Sequence, residues 1–307
     1  MNSESIRKLS YKVNIDSEPL EVRFVMKELL HLSRREISHA KAFDDGITCD
    51  GRHVNVRYML QPGETLNIVL HENCETSAET VPTEGPLDII YEDEDIICIN
   101  KEPGIVVHPS HGHYTDSVSN RLAWYFAQKN ENHVMRAVGR LDKETSGVII
   151  FAKNRPSAAG LCHQSLKGLR TKEYLALCEG YLPEKKGIIE APIGRVPGEK
   201  LLREVRDDGD YAKTGYEVIK EYDGYSYIKL SLFTGRTHQI RVHLHSLGHP
   251  LLGDSLYGKA IADNHEMERC ALHSFETEIY HPMTGEKLLF NAKLPEDMAR
   301  LIDTGLY

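Results

Sequence analysis

Apolar positions divide the chain into two stretches of different habit. In the first, Val22, Val25, Met26, Leu29 and Leu30 recur at helical spacing, which predicts a helix with one buried face. A second helix is predicted from Ser33, a hydroxyl suited to an N-cap, with Glu36 three residues on to complete a capping box. Then Ile47 and Cys49 alternate with polar neighbours, Asp50-Gly51 marks a turn, and Leu66-Asn67-Ile68-Val69-Leu70 reads as a strand. Helices and a small sheet over 1–71 make a compact α+β unit.

The second stretch is rich in strands. Leu87-Asp88-Ile89-Ile90-Tyr91 and Ile96-Ile97-Cys98-Ile99-Asn100 read as a pair across an acidic turn. Val148-Ile149-Ile150-Phe151-Ala152 is a continuous apolar run, suited to a strand buried on both faces. Further strands fall at Tyr174–Cys178 and Tyr227–Leu232, and helical pieces cover 116–129 and 156–168. These elements do not alternate regularly, so 87–307 is expected to be an α+β domain around a mixed, largely antiparallel sheet. Between the two stretches, 72–86 has few large apolar residues and carries Pro82, Gly85 and Pro86; it reads as a linker.

Charge changes the picture little. The formal net charge is −9, but nine of the 46 acids lie within 71–98, where there is no Lys or Arg. The remaining 37 acids equal the 37 basic residues, so the body is neutral and cannot hold a polyanion by bulk charge alone. No apolar run reaches the roughly 18 residues of a membrane span, and the N-terminus lacks the apolar core of a signal peptide. The six cysteines are scattered with no C-x-x-C pair, which suits reduced thiols in a cytoplasm rather than a zinc ribbon or disulfide framework.

Chemistry concentrates in a few segments. Gly139-Arg140-Leu141-Asp142-Lys143-Glu144-Thr145-Ser146-Gly147 puts polar residues just before the buried run, so Asp142 sits on a loop at a sheet edge, where a scaffold presents functional groups. The same residue types also make an ordinary capped turn. The segment 233–250 is dense in Arg and His, and Arg170-Thr171-Lys172-Glu173-Tyr174 leads a tyrosine into a strand. His243 and His245 are expected on one face of a strand, with His238 and His249 near, but 241–247 offers no carboxylate or thiol to join them as metal ligands. No metal is expected.

Together these segments resemble the RluA/RluD-type RNA pseudouridine synthases. The loop around Asp142 is similar to that family's R-L-D-x-x-T-S-G signature, and 235–243 is similar to G-R-[ST]-H-Q-[IL]-R-V-H. Gly248-His249-Pro250, Gly253–Gly258, Ala191–Arg195, Ala271–Ser274 and Ile99–Pro109 also match in order. One departure is Gly139, where many members carry His. Residues 20–70 loosely resemble an S4-type RNA-binding domain.

The resemblance implies the pseudouridine synthase fold and an isomerase acting on uridine in RNA, most often large-subunit ribosomal RNA, with transfer RNA as the alternative. It implies Asp142 as catalytic nucleophile, Arg241 as its basic partner, and Tyr174 as the tyrosine that stacks on the base and has been proposed as proton acceptor. Leu272 would line the pocket, and Arg140 would displace the target uridine from its stack. Arg236 and His238 join the substrate-binding set, Arg236 as the lesser candidate to pair with the aspartate. Arg34, Arg35, Lys41, Lys167, Arg170 and Lys172 are candidate RNA contacts. The reaction breaks the bond from ribose to uracil nitrogen 1 and rejoins the base through carbon 5. It needs a carboxylate, a base and an apolar, stacking wall, but no redox change, so no cofactor is expected. A cytoplasmic monomer is expected. The competing reading is a non-catalytic RNA-binding or ribosome-assembly protein on the same scaffold; the presence of Asp142, Tyr174 and Arg241 argues against it.

Overall fold

The computed structural model describes residues 4–30, 32–73, 80–131, 133–258 and 267–302. Part of the segment read as a linker, 74–79, lies outside the described residues. The chain begins with strand β1 (Glu4–Lys12), then β2 (Leu20–Glu21), helix α1 (Val22–Phe24), helix α2 (Arg34–Ala40), and strands β3 (Ile47–Cys49), β4 (Arg52–His53), β5 (Met59–Leu60) and β6 (Thr65–Asn73). β1, β6, β3 and β4 form a four-stranded sheet in that order. Val22, Val25, Met26, Ile37, Ile47, Leu66 and Ile68 bury together beneath it.

Two details qualify the sequence reading. The first helix is not regular: α1 runs into a π-helical stretch, Val25–Leu29, where the Leu30 N–H donates to the Val25 carbonyl. The wider turn rotates Leu29 out to solvent while Val25 and Met26 stay buried. The second helix starts as expected. The Glu36 N–H donates to Ser33 Oγ, and the Ser33 N–H donates to the Glu36 carboxylate.

Next come β7 (Asp88–Glu92), β8 (Ile96–Lys101), α3 (Val118–Gln128), β9 (Arg136–Ala137), β10 (Ser146–Ala152), α4 (Arg155–Leu166) and β11 (Thr171–Glu179). Then follow β12 (Lys186–Glu190), β13 (Ile193–Arg195), β14 (Arg203–Val205), β15 (Lys213–Tyr222), β16 (Tyr225–Leu232), α5 (Gln239–Ser246), β17 (Leu272–Tyr280), β18 (Lys287–Asn291) and α6 (Glu296–Ala299). The central sheet has ten strands, ordered β12-β15-β16-β11-β17-β10-β8-β7, with β18 added to β17 and β9 to β10. Its named pairings are antiparallel except β10 with β17. The fold is thus α+β around a mixed, largely antiparallel sheet.

Period-two alternation explains the continuous apolar runs. On β8, Ile97 and Ile99 face one core with α3, while Ile96 and Cys98 face the other with α4. β10 divides likewise, with Ile149 and Phe151 on the first side and Val148 and Ile150 on the second. β10 and β17 pair only at Ser146–His273 and Gly147–Ser274; beyond that, each takes a different partner and the sheet forks. Gly147 sits at the fork with φ +107°, and a Cβ there would lie 2.1 Å from the Ser274 carbonyl oxygen. Only glycine satisfies both the dihedral and the approach.

The N-terminal sheet touches the central one through Arg7. Its Nε and Nη2 donate to Asp95 at 3.0 and 2.7 Å, and Nη1 lies 2.5 Å from Glu94. Asp95, buried in the β7–β8 turn, also accepts from Asn154 Nδ2 and Ser157 Oγ at the start of α4.

Candidate active site

The loop from Gly139 to Thr145 is held by its own backbone. The Thr145 N–H donates to the Asp142 carbonyl. The Lys143 carbonyl accepts from the Gly104 N–H at 2.9 Å and from Lys101 Nζ at 3.0 Å. The Glu144 carbonyl accepts from Arg269 Nη1, whose other nitrogens grip Asp297. Ser146 Oγ lies 3.0 Å from His273 Nδ1. Lys101 is almost wholly buried and also donates to the carbonyls of Glu102 and Ile105. Burial pushes its pKa down to about 7, helped by the charge of Arg269. With its own carbonyl and the residues after it fixed, Asp142 has little freedom.

The arginine- and histidine-rich segment folds as a turn and helix α5, not as the expected strand. Gln239, buried at its first position, staples the turn: its Oε1 accepts from Thr234 Oγ1 and the Arg236 N–H, and its Nε2 donates to Lys213 O and Thr214 Oγ1. In a helix, residues two apart point to different sides. His243 is therefore buried, bonded to Thr214 Oγ1 and the Ala191 carbonyl, while His245 is exposed. The shared face that a two-histidine metal site would need does not form.

Arg241 connects two carboxylates. Its Nε and Nη2 donate to Asp254 at 2.8 and 2.7 Å, and its Nη1 lies 3.6 Å from Asp142 Oδ2. Burial works against the guanidinium charge, but the hydrogen bond to Asp254 and the neighbouring negative charges outweigh it, so its pKa is raised. Burial likewise opposes the Asp254 carboxylate, yet Arg241 and the N–H groups of Leu256 and Tyr257 hold its pKa down. The pair is ionised.

His238 precedes α5 in the left-handed region at φ 57°, a conformation that costs a non-glycine residue about 1 kcal/mol or more and is found at functional sites. Its Nε2 is 3.9 Å from Asp142 Oδ2, and its Nδ1 is 2.9 Å from Tyr257 Oη. Burial, opposed by Asp142 and reinforced by Arg241 and Arg140, keeps its pKa below the usual imidazole value.

Alternation along β11 turns Lys172 and Tyr174 to one side, and with Arg170 just before the strand they line the same cleft as Asp142, Arg140, Arg236, His238, Arg241 and Leu272. The cleft volume is about 620 Å³. Tyr174 is buried; burial pushes its hydroxyl up to about 12 against the opposing hydrogen bond with Ser274. Arg140 is exposed at the rim, 3.4 Å from Thr237 Oγ1. Arg236 points away from Asp142: its Nε donates to the Tyr211 carbonyl, and its Nη1 is 3.7 Å from Asp210. Arg34, Arg35 and Lys41 are exposed on and just after α2, Lys167 is exposed just after α4, and none lines the cleft. Sequence reasoning assigned no role to Asp254, Tyr257, Lys101 or Arg269. The first three lie in family-like blocks already noted, which was the available signal.

A family model described as RNA pseudouridylate synthase matches residues 95–246. RNA pseudouridine synthase YjbO of Bacillus subtilis is 38% identical over 274 residues, covering 89% of this chain and 95% of that protein. Ribosomal large subunit pseudouridine synthase D of Nitrosomonas europaea is 36% identical, covering 83% and 76%. Among solved structures, human RNA pseudouridylate synthase domain containing 1 aligns with a TM-score of 0.57 at 27% identity, over 68% of this chain and 83% of that one. A cleft with an aspartate, a paired arginine and a buried tyrosine, on a chain this similar along most of its length, leaves one assignment: the chain belongs to the RluA/RluD-type RNA pseudouridine synthases.

Proposed function

We propose that the protein converts uridine to pseudouridine in large-subunit ribosomal RNA, with Asp142 as the nucleophile. The observation that carries this is the setting of Asp142: a pinned loop carboxylate, 3.6 Å from a buried arginine, in a cleft that also holds Tyr174 and Leu272. Asp142 adds to the uracil ring or attacks the sugar carbon, and either path breaks the bond to nitrogen 1. Arg241 orients the carboxylate. Tyr174 and Leu272 confine the freed uracil while it turns. The bond from the sugar to carbon 5 then forms, the bond to Asp142 breaks and returns its electron pair to the carboxylate, and the carbon 5 proton is replaced by one on nitrogen 1, so the atoms balance without a co-reactant. Burial works against the phenolate of Tyr174, which favours its hydroxyl as a donor over a proton acceptor at neutral pH. Arg140, at the rim, fills the space the base leaves, since extrusion costs a few kcal/mol. The ribosomal substrate is supported by relatives named for the large subunit. The unit over 1–71, joined through 72–86 to a catalytic domain over 87–307, serves as an S4-like RNA grip through Arg34, Arg35 and Lys41.

The test is tritium release from carbon 5 of unmodified ribosomal RNA, beside Asp142→Ala. Release by the wild type alone supports the proposal. No release on ribosomal or transfer RNA, with RNA binding intact, sinks it in favour of a binding scaffold; release only on transfer RNA moves the substrate.

A further inference from the structure

Lys172 is placed where a cation gains little from the protein itself. It is half-buried on the cleft face of β11, and among the described residues its ammonium makes no hydrogen bond or ion pair. The nearby charge acting on it is a like one, Arg170, which spends Nη1 on the Val138 carbonyl. Asp142, the carboxylate lining the cleft, lies beside Arg241. Burial and then Arg170 push Lys172 down to about 7, the signature of a charge held without a counter-ion.

Gly139 makes the arrangement possible. It has φ +95°, and a Cβ there would lie 2.9 Å from Lys172 Nζ and 3.3 Å from Arg170 Nη2. A side chain at 139 would push the Lys172 ammonium aside and crowd the Arg170 guanidinium, next to the loop that continues into Arg140 and Asp142. Two basic side chains without a carboxylate partner, beside the backbone that leads into Arg140, match one ligand chemistry: a phosphodiester, whose charge would hold the proton on Lys172. Phosphate contacts set register in RNA recognition, and the flanking linkage is the anion that travels with the extruded base.

Resting on the pseudouridine synthase reading above, we propose that Gly139, Arg170 and Lys172 form a phosphodiester subsite for the linkage next to the target uridine, with Lys172 as a positioning residue. The experiment uses the full chain, a ribosomal RNA fragment containing the target, and the same fragment with one uncharged methylphosphonate beside it. Lys172→Met is expected to raise KM roughly tenfold, leave kcat within about twofold, and lower the salt slope of RNA binding by about 0.7. The methylphosphonate should raise the wild-type KM by a similar factor or more, and raise it by less in Lys172→Met, where Arg170 alone meets the charge. The proposal is overturned if the neutral linkage leaves the wild-type KM unchanged, a measurement that needs no variant. It is equally overturned if the two perturbations multiply, or if Lys172→Met lowers kcat alone. Tritium release by the wild type is scored separately, so a lost subsite with retained release refutes this proposal and leaves the function standing. Absent release refutes the function, while salt slope and linkage still report on the subsite through binding.

Discussion

Asp254→Asn probes how Arg241 is held beside Asp142. Asp254 Oδ1 accepts from Arg241 Nη2 at 2.7 Å and from the N–H groups of Leu256 and Tyr257 at 3.0 and 3.1 Å; Oδ2 accepts from Arg241 Nε at 2.8 Å. Asparagine keeps the shape and can leave its oxygen on the two backbone amides. Its NH2 then faces Arg241 Nε, donor against donor. One charge-assisted bond of about 1.5–3 kcal/mol is lost and a buried donor costing about 1–3 kcal/mol is left unsatisfied. The expected loss is about 3–5 kcal/mol, the range for a broken buried ion pair. It should appear in urea unfolding at neutral pH as a lower midpoint with the same slope. The pH dependence has a fixed sign. The Asp254 carboxyl lies below its usual range, so its contribution is complete above the unfolded value and is lost as pH falls through the folded one. The gap between variant and wild type should therefore close below about pH 4. Tritium release should fall about 100-fold as Arg241 loses its anchor. A variant within about 1 kcal/mol of wild type at neutral pH, or a deficit that persists unchanged into acid, would refute the argument.

Two other substitutions test the scaffold. Gly147→Ala places a Cβ against the Ser274 backbone at φ +107°, and neither can yield; a loss of about 3 kcal/mol or more is expected in thermal melts followed by circular dichroism. Melting within a degree of wild type would show that the sheet fork relaxes. Lys101→Met leaves the carbonyls of Glu102, Ile105 and Lys143 without their buried donor, at about 3 kcal/mol in all. It should also depress kcat by loosening the peptide after Asp142, and unchanged kcat would separate Lys101 from the site.

What the sequence disclosed, and what it hid, follows from burial. β8 and β10 were legible because strands covered on both faces need unbroken apolar runs, and α2 because Ser33 and Glu36 cap it locally. The Asp142 loop was legible as turn residues before a buried strand. α5 was not, for two reasons. Gln239 to Leu244 are all buried, so no polar face marks the 3.6-residue period, while Ile240, Val242 and Leu244 alternate as a strand would. Its start also lacks a side-chain cap, since His238 enters in the left-handed region. β1 went unread because the alternation of Leu9, Tyr11 and Val13 is short and set among polar residues. The link from Asp142 through Arg241 to Asp254 joins three separate segments, which no local pattern encodes.

The anchoring of the Asp142 loop also sets an order of assembly. Asp142, Tyr174 and Arg241 are all translated before the groups that fix the loop: Arg269 holds Glu144 from 125 positions downstream, and His273 meets Ser146 from 127. Chains emerge N-terminus first and distant strand pairings close slowly. A nascent chain that already contains Asp142, Tyr174 and Arg241 therefore still lacks the assembled cleft, because the β10–β17 contact must wait for residue 274. Truncation between 241 and 269 would abolish activity with those three side chains intact, and the last strands to leave the ribosome decide when the complete cleft first appears.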